Sequence, residues 1–212
     1  HLTGNVTGIG GANLCLIIEN TVSGNTSVGI QAVSCKIENN VVRGNGLGIA
    51  GENNLIIHNQ IMGNTAGGIL LLPAGGNIVD NVISLTAFGI SDLLVAPAPV
   101  PPPMGMPRAT SIIGNTISMT TAGPGISVYF PALITDNSIT GAMADGIVCG
   151  AACTLRGNSV ETNNIGGLGT GGVVVADGSN VTGNSIGFNV GPGLSLPITA
   201  SYSQNAFMLN AP

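Results

Sequence analysis

Tryptophan is absent from this chain, and only 4 of its 212 residues are basic against 9 acidic. So few cations form no basic stripe, and nucleic acid is not an expected partner. The net charge of −5 also repels acidic polymers such as pectate or alginate on average, which leaves a polysaccharide only a local site to bind. Charged residues make up 6% of the chain, where an ordinary soluble domain carries roughly 25%. Mean hydropathy is high, at +0.49. Even so, no run of about 18 apolar residues is uninterrupted, and no membrane span is expected. A P-loop, a zinc-protease helix and a dinucleotide fingerprint are all missing. The glycines of 166–172 open no helix, so neither cofactor nor metal is expected. No signal peptide precedes His1, which reads as the start of a processed mature chain or of an excised piece.

What the chain has in excess is glycine, 34 residues, and a recurring asparagine. Taking Asn5, Asn20, Asn40, Asn59, Asn81, Asn115, Asn137, Asn158, Asn184 and Asn205 as anchors, subtraction gives steps of 15, 20, 19, 22, 34, 22, 21, 26 and 21 residues. Three positions before most anchors stands an apolar residue (Ile17, Ile37, Ile56), and two after stands another (Val22, Val42, Ile61). A third apolar position follows a glycine, as in Gly29-Ile30, Gly48-Ile49 and Gly68-Ile69. A period near 20 with its own apolar code marks a repeat architecture, in which each turn contacts its neighbours.

The density of Gly, Asn and β-branched residues argues against helix. Parallel coiling explains the fixed register, because equivalent residues of successive turns stack into columns. An inward Asn at a bend bonds backbone groups that the corner leaves unpaired, and its amide reaches the Asn one turn away. Asn20, Asn40, Asn59, Asn81, Asn115, Asn137, Asn158 and Asn184 are therefore expected to form a structural ladder. A second, partial column lies five residues on, at Asn25, Asn45, Asn64, Asn163, Asn189 and Asn210.

The segments Asn20-Thr-Val-Ser-Gly-Asn25, Asn59-Gln-Ile-Met-Gly-Asn64 and Asp136-Asn-Ser-Ile-Thr-Gly141, each leading to Gly-Ile, resemble the right-handed parallel β-helix repeat family. That family includes pectate-lyase-like polysaccharide lyases and epimerases as well as many surface and phage proteins. The resemblance implies an all-β, right-handed parallel β-helix of about ten turns, forming one domain over 1–212. It says little about activity, since one solenoid hosts many functions. A Pro-rich loop inserted at 95–108 accounts for the longest step and is either a spacer or a contact surface.

Cys15 and Cys35 each sit five residues before an anchor and should stack about 4.8 Å apart, which suits a disulfide. Cys149 and Cys153 can close a small loop. Free buried thiols or a four-thiolate metal site are the alternatives.

Enzymes that this family includes cluster carboxylates with cations on one face. Here the best column lies one position before the anchors, where His58 and Asp80 should be neighbours and could transfer a proton. The same pair reads equally well as an exposed corner contact. Asp92, with Arg108 folding over from the Pro-rich loop, completes the most site-like arrangement available. No catalytic residue beyond these candidates is expected.

Neither end carries a charged plug or amphipathic cap, so the chain is expected to be either an excised segment or a subunit that stacks head to tail. The reading favoured by the sequence is a non-enzymatic extracellular or cell-surface scaffold. Its expected partners are further copies of itself or other surface proteins. A polysaccharide-processing enzyme or a carbohydrate-binding protein on the same fold is the alternative.

Overall fold

The computed structural model describes residues 1–11, 13–72, 75–92 and 110–210. The Pro-rich loop and Arg108 lie outside these. The described chain winds into a parallel β-solenoid of about nine turns with three sheets, of ten, nine and nine strands. Each turn visits them in the same order. Lys36–Glu38 lies in sheet C, Val41–Arg43 in sheet A and Leu47–Glu52 in sheet B, before the chain returns to sheet C at Asn54–Ile57.

The local sequence explains these short strands. A three-residue strand points its middle side chain inward and the flanking two outward. Ile37, Ile56 and Ile78 pair in register in sheet C, as Val42, Ile61 and Ile83 do in sheet A, and Ile30, Ile49 and Ile69 in sheet B. All nine are fully buried or within 1% of it. Burying each such side chain contributes about 1.5–3 kcal/mol, which offsets the ordering of three extended residues and a bend.

Three corners separate the sheets. The first, between sheets C and A, carries the anchor Asn residues. The second, between A and B, carries the column five residues on. At the first corner the ladder is continuous from Asn20 to Asn205. Asn59 shows the pattern: its Nδ2 donates to Ile57 O at 3.0 Å, Ile37 O at 2.9 Å and Asn81 Oδ1 at 3.0 Å. Its backbone N also donates to Asn81 Oδ1, at 2.8 Å. The 34-residue step does not interrupt the ladder, since Asn81 Nδ2 meets Asn115 Oδ1 at 3.0 Å.

One anchor is corrected by the structure. Asn5 donates its backbone N to Asn25 Oδ1 at 3.0 Å, and Leu2 pairs with Val22 of sheet A. Asn5 therefore belongs to the second column, and the anomalous 15-residue step is a change of corner.

The third corner, between sheets B and C, holds Cys15, Cys35, Asn54, Gly76, Thr110, Ala132, Cys153 and Ser179 at equivalent positions. Both disulfides form there. Cys15–Cys35 links adjacent turns with a Cα–Cα distance of 4.6 Å, and Cys149–Cys153 ties the end of a sheet B strand to the corner at 6.4 Å.

Candidate functional site

The column that holds the sequence candidates is defined by the backbone. The residue before each anchor turns the first corner in the left-handed conformation: Glu19, Asn39, His58, Asp80, Asp136 and Gln204 have φ between 52° and 58°, and Gly114, Gly157 and Gly183 have φ near 66°. Left-handed backbone favours Gly, Asn, Asp and His, whose side chains tolerate or locally support it. The acidic and imidazole groups on this corner are thus explained by the bend itself.

His58 and Asp80 are neighbours, with Nε2 to Oδ2 at 3.6 Å. Their side chains are 50% and 52% exposed, so water screens the contact and its contribution is small, about 0–1 kcal/mol. In chemical terms the pair offers one imidazole and one carboxylate on a convex corner, within reach of a proton.

Asp92 lies elsewhere. It ends a sheet B strand on the way to the third corner, and it is 91% buried. Its carboxylate accepts from Tyr129 N at 2.9 Å through either oxygen, and from Phe130 N at 3.2 Å. Asp145 plays the same part at the other end of sheet B. Its Oδ1 accepts from Thr170 N and Gly171 N, both at 2.6 Å, and so fixes the loop that runs into Val173–Val175. Asn164 supports that loop through Gly169, accepting from its N at 2.8 Å and donating to its O at 3.1 Å.

The structure therefore brings His58 and Asp80 together and sets Asp92 on a different corner; Arg108 lies outside the described residues. Two features were missed in the sequence reading. The backbone-capping roles of Asp92 and Asp145 had no signal, because their partners lie 37 and 25 residues away across loops of unequal length. The left-handed column did have one: in three turns the position before the anchor is a glycine.

Among the described residues, no three His, Cys, Asp or Glu side chains gather as metal ligands, and no helix is long and apolar enough to cross a membrane. Concave features among the described residues include the following two. One, of about 710 Å³, lies against the last described coil, between Leu194, Leu196, Tyr202 and Phe207. The other is a shallow depression of about 400 Å³ at the second corner, over Gly24, Gly44 and Gly63.

No curated protein and no solved structure matches the chain. Residues 5–160 match the family model described as the right-handed β-helix region, which is well over half of the sequence. With three parallel sheets stacked turn upon turn, the chain belongs to the right-handed β-helix family.

Proposed function

We propose that this chain is an extracellular structural or adhesive β-solenoid whose copies associate end to end. The observation that carries this reading is that the wall absorbs its own polar chemistry. Asp92 and Asp145 are committed to backbone N–H groups, and the His58–Asp80 column follows from the left-handed bend. The two disulfides suit an oxidising, extracellular setting.

End-to-end association would join the first and last described coils. Tyr202 and Phe207 continue the columns of Val181 and Ile186, yet they are 63% and 49% exposed where their predecessors are fully buried. At the opposite end Leu2, Val6, Leu14 and Leu16 are exposed. In the proposed assembly a second copy covers both sets and continues the ladders of Asn205 and Asn210.

Electron microscopy of the purified chain at modest salt tests the proposal. Fibres with an axial repeat of about 45 Å, the length of roughly nine strand spacings, are expected. Isolated rods of that length at every concentration would sink it.

A second reading, a polysaccharide-processing or glycan-binding protein, rests on the exposed His58–Asp80 pair. It predicts new reducing ends or an unsaturated uronide chromophore when the chain is incubated with uronate or neutral polysaccharides, or else retention on those polymers.

A further inference from the structure

At the second corner, too, the residue before the inward position lies in the left-handed region. Five turns place Gly4, Gly24, Gly44, Gly63 and Gly141 there, as local conformation favours. The other five hold Thr162, Leu209 and the bulky Leu85, Met119 and Phe188, the last three at φ of 53°, 52° and 56°. These three side chains also stand half in water, at 52%, 54% and 48% exposure. Bulky residues in this conformation are strained, and glycine avoids both the strain and the exposed apolar surface. Retaining them calls for a contact that covers them.

Their order along the solenoid identifies the occupant. Among the described residues sheet A has ten strands, of which Val82–Ser84 is the fifth and Thr116–Ser118 the sixth. We propose that two copies of this chain pack sheet A against sheet A with their long axes reversed. The two-fold axis runs along the strands, between the fifth and sixth. This contact is lateral and stands apart from any end-to-end association.

Under that operation each strand meets the one whose number completes eleven. At the second corner Leu85 then meets the partner's Met119, Phe188 meets the bare backbone of Gly24, and Thr162 meets Gly44. The partner's Phe188 and Thr162 enter the part of the depression over Gly24 and Gly44, while Gly63 meets the partner's Gly141. On the sheet face, Val82 opposes Thr116 and Met62 opposes Thr140, again large against small. Arg43 on the third strand opposes Glu161 on the eighth, and symmetry forms this pair twice.

Among the described residues the ion pairs are Lys36–Glu38 and His58–Asp80, so neither Arg43 nor Glu161 is committed to one within its own chain. Ten strands at about 4.8 Å spacing give a strip about 45 Å long. With a width of about 15 Å it covers roughly 700 Å² per copy, near the size of a standard specific interface. Asp92 and Thr110 lie at the third corner, away from this face.

Sedimentation equilibrium on the full chain and on three charge variants tests the arrangement, with circular dichroism to confirm that each variant folds. The wild type is expected to dimerise at micromolar concentration. R43E places Glu opposite Glu161 twice, and E161R places Arg opposite Arg43 twice. Each single change should weaken dimerisation at least tenfold, and the double variant R43E/E161R should restore it to within about threefold of wild type. A monomeric wild type, single variants with unchanged affinity, or a double variant no better than the singles would each overturn the proposal. If fibres form, the single variants should thin them by half without shortening them. Shortened fibres would place the fault in the end-to-end contact instead.

Discussion

Two stretches of each turn obey different rules. From the third corner through sheet C to the first corner, and on through sheet A to the second, the chain always takes five residues and then five more. From the second corner through sheet B back to the third it takes 10, 9, 12, 24, 12, 11 and 16 residues, counting by subtraction from Asn25, Asn45, Asn64, Thr86, Thr120, Ala142 and Asn163. Every irregularity of the repeat, including the 34-residue step, falls in this second stretch. The invariant stretch contains the unbroken Asn ladder. The variable one ends at a corner where Cys, Asn, Gly, Thr, Ala and Ser take turns, and that corner is where both disulfides sit. A corner whose loops vary in length does not repeat the geometry that an Asn amide requires, so covalent bonds and isolated caps hold it instead. The lesson is that this solenoid keeps its register along one side and accommodates insertions along the other.

The largest effect should come from breaking the ladder. Asn115 is fully buried; its Nδ2 donates to Ile78 O, Ile113 O and Asn137 Oδ1, and its Oδ1 accepts from Asn81 N and Nδ2, all at 3.0 Å. Asn115→Ala removes these bonds and strands Asn81 N–H in the core. A loss of about 3–4 kcal/mol is expected, read as a lower urea midpoint at unchanged slope. Ser179 is the third-corner counterpart, accepting from Cys153 N at 3.1 Å and donating to Ala151 O at 3.2 Å. Ser179→Ala should lose only about 1–2 kcal/mol. Equal losses at the two corners would erase the distinction.

The covalent ties of the variable corner come next. Cys15–Cys35 closes a 20-residue separation and Cys149–Cys153 a separation of four. Chain entropy assigns them about 3 and about 2 kcal/mol. The Cys15→Ser/Cys35→Ser variant should therefore unfold earlier in urea than Cys149→Ser/Cys153→Ser, with amide exchange rising first in 1–23. The reverse order would mean that the small loop, and not the link between turns, secures this corner.

How much of this was legible in sequence follows the same division. The parallel β-helix and the ladder from Asn20 to Asn184 could be read because fixed spacing repeats an identical local code. The contact between His58 and Asp80 could be placed for the same reason, since both stand one residue before an anchor. Asn5 was misassigned because the two corners share that code: Leu2 stands three residues before Asn5 just as Val22 stands before Asn25 and Ile17 before Asn20. The third corner gave no Asn ladder to follow because its occupants change from turn to turn. Asp92 was read as a possible catalytic carboxylate, and the role of Asp145 went unread, since nothing local announces that Tyr129 and Thr170 will bring their N–H groups to them. Where loop length varies, a long-range partner cannot be counted out along the chain.

The smallest expected effect bears on the one candidate site in the invariant stretch. If His58 and Asp80 are present because the corner requires φ near 55°, then Asn, which tolerates that conformation, should replace either with little consequence. Asp80→Asn and His58→Asn remove an ion pair whose members are about half exposed, so each should change stability by less than about 0.5 kcal/mol. Asp80→Val keeps the exposed position but forces a β-branched residue into the left-handed region, and about 1–2 kcal/mol should be lost. A urea series on the three variants separates the causes: backbone conformation predicts that only Val is costly, whereas an important ion pair predicts that all three are. The same proteins assay chemistry. If the chain turns over a polysaccharide and that activity disappears in Asp80→Asn and His58→Asn while their stability is unchanged, the pair serves catalysis, and the corner supplies the geometry that makes the two groups neighbours.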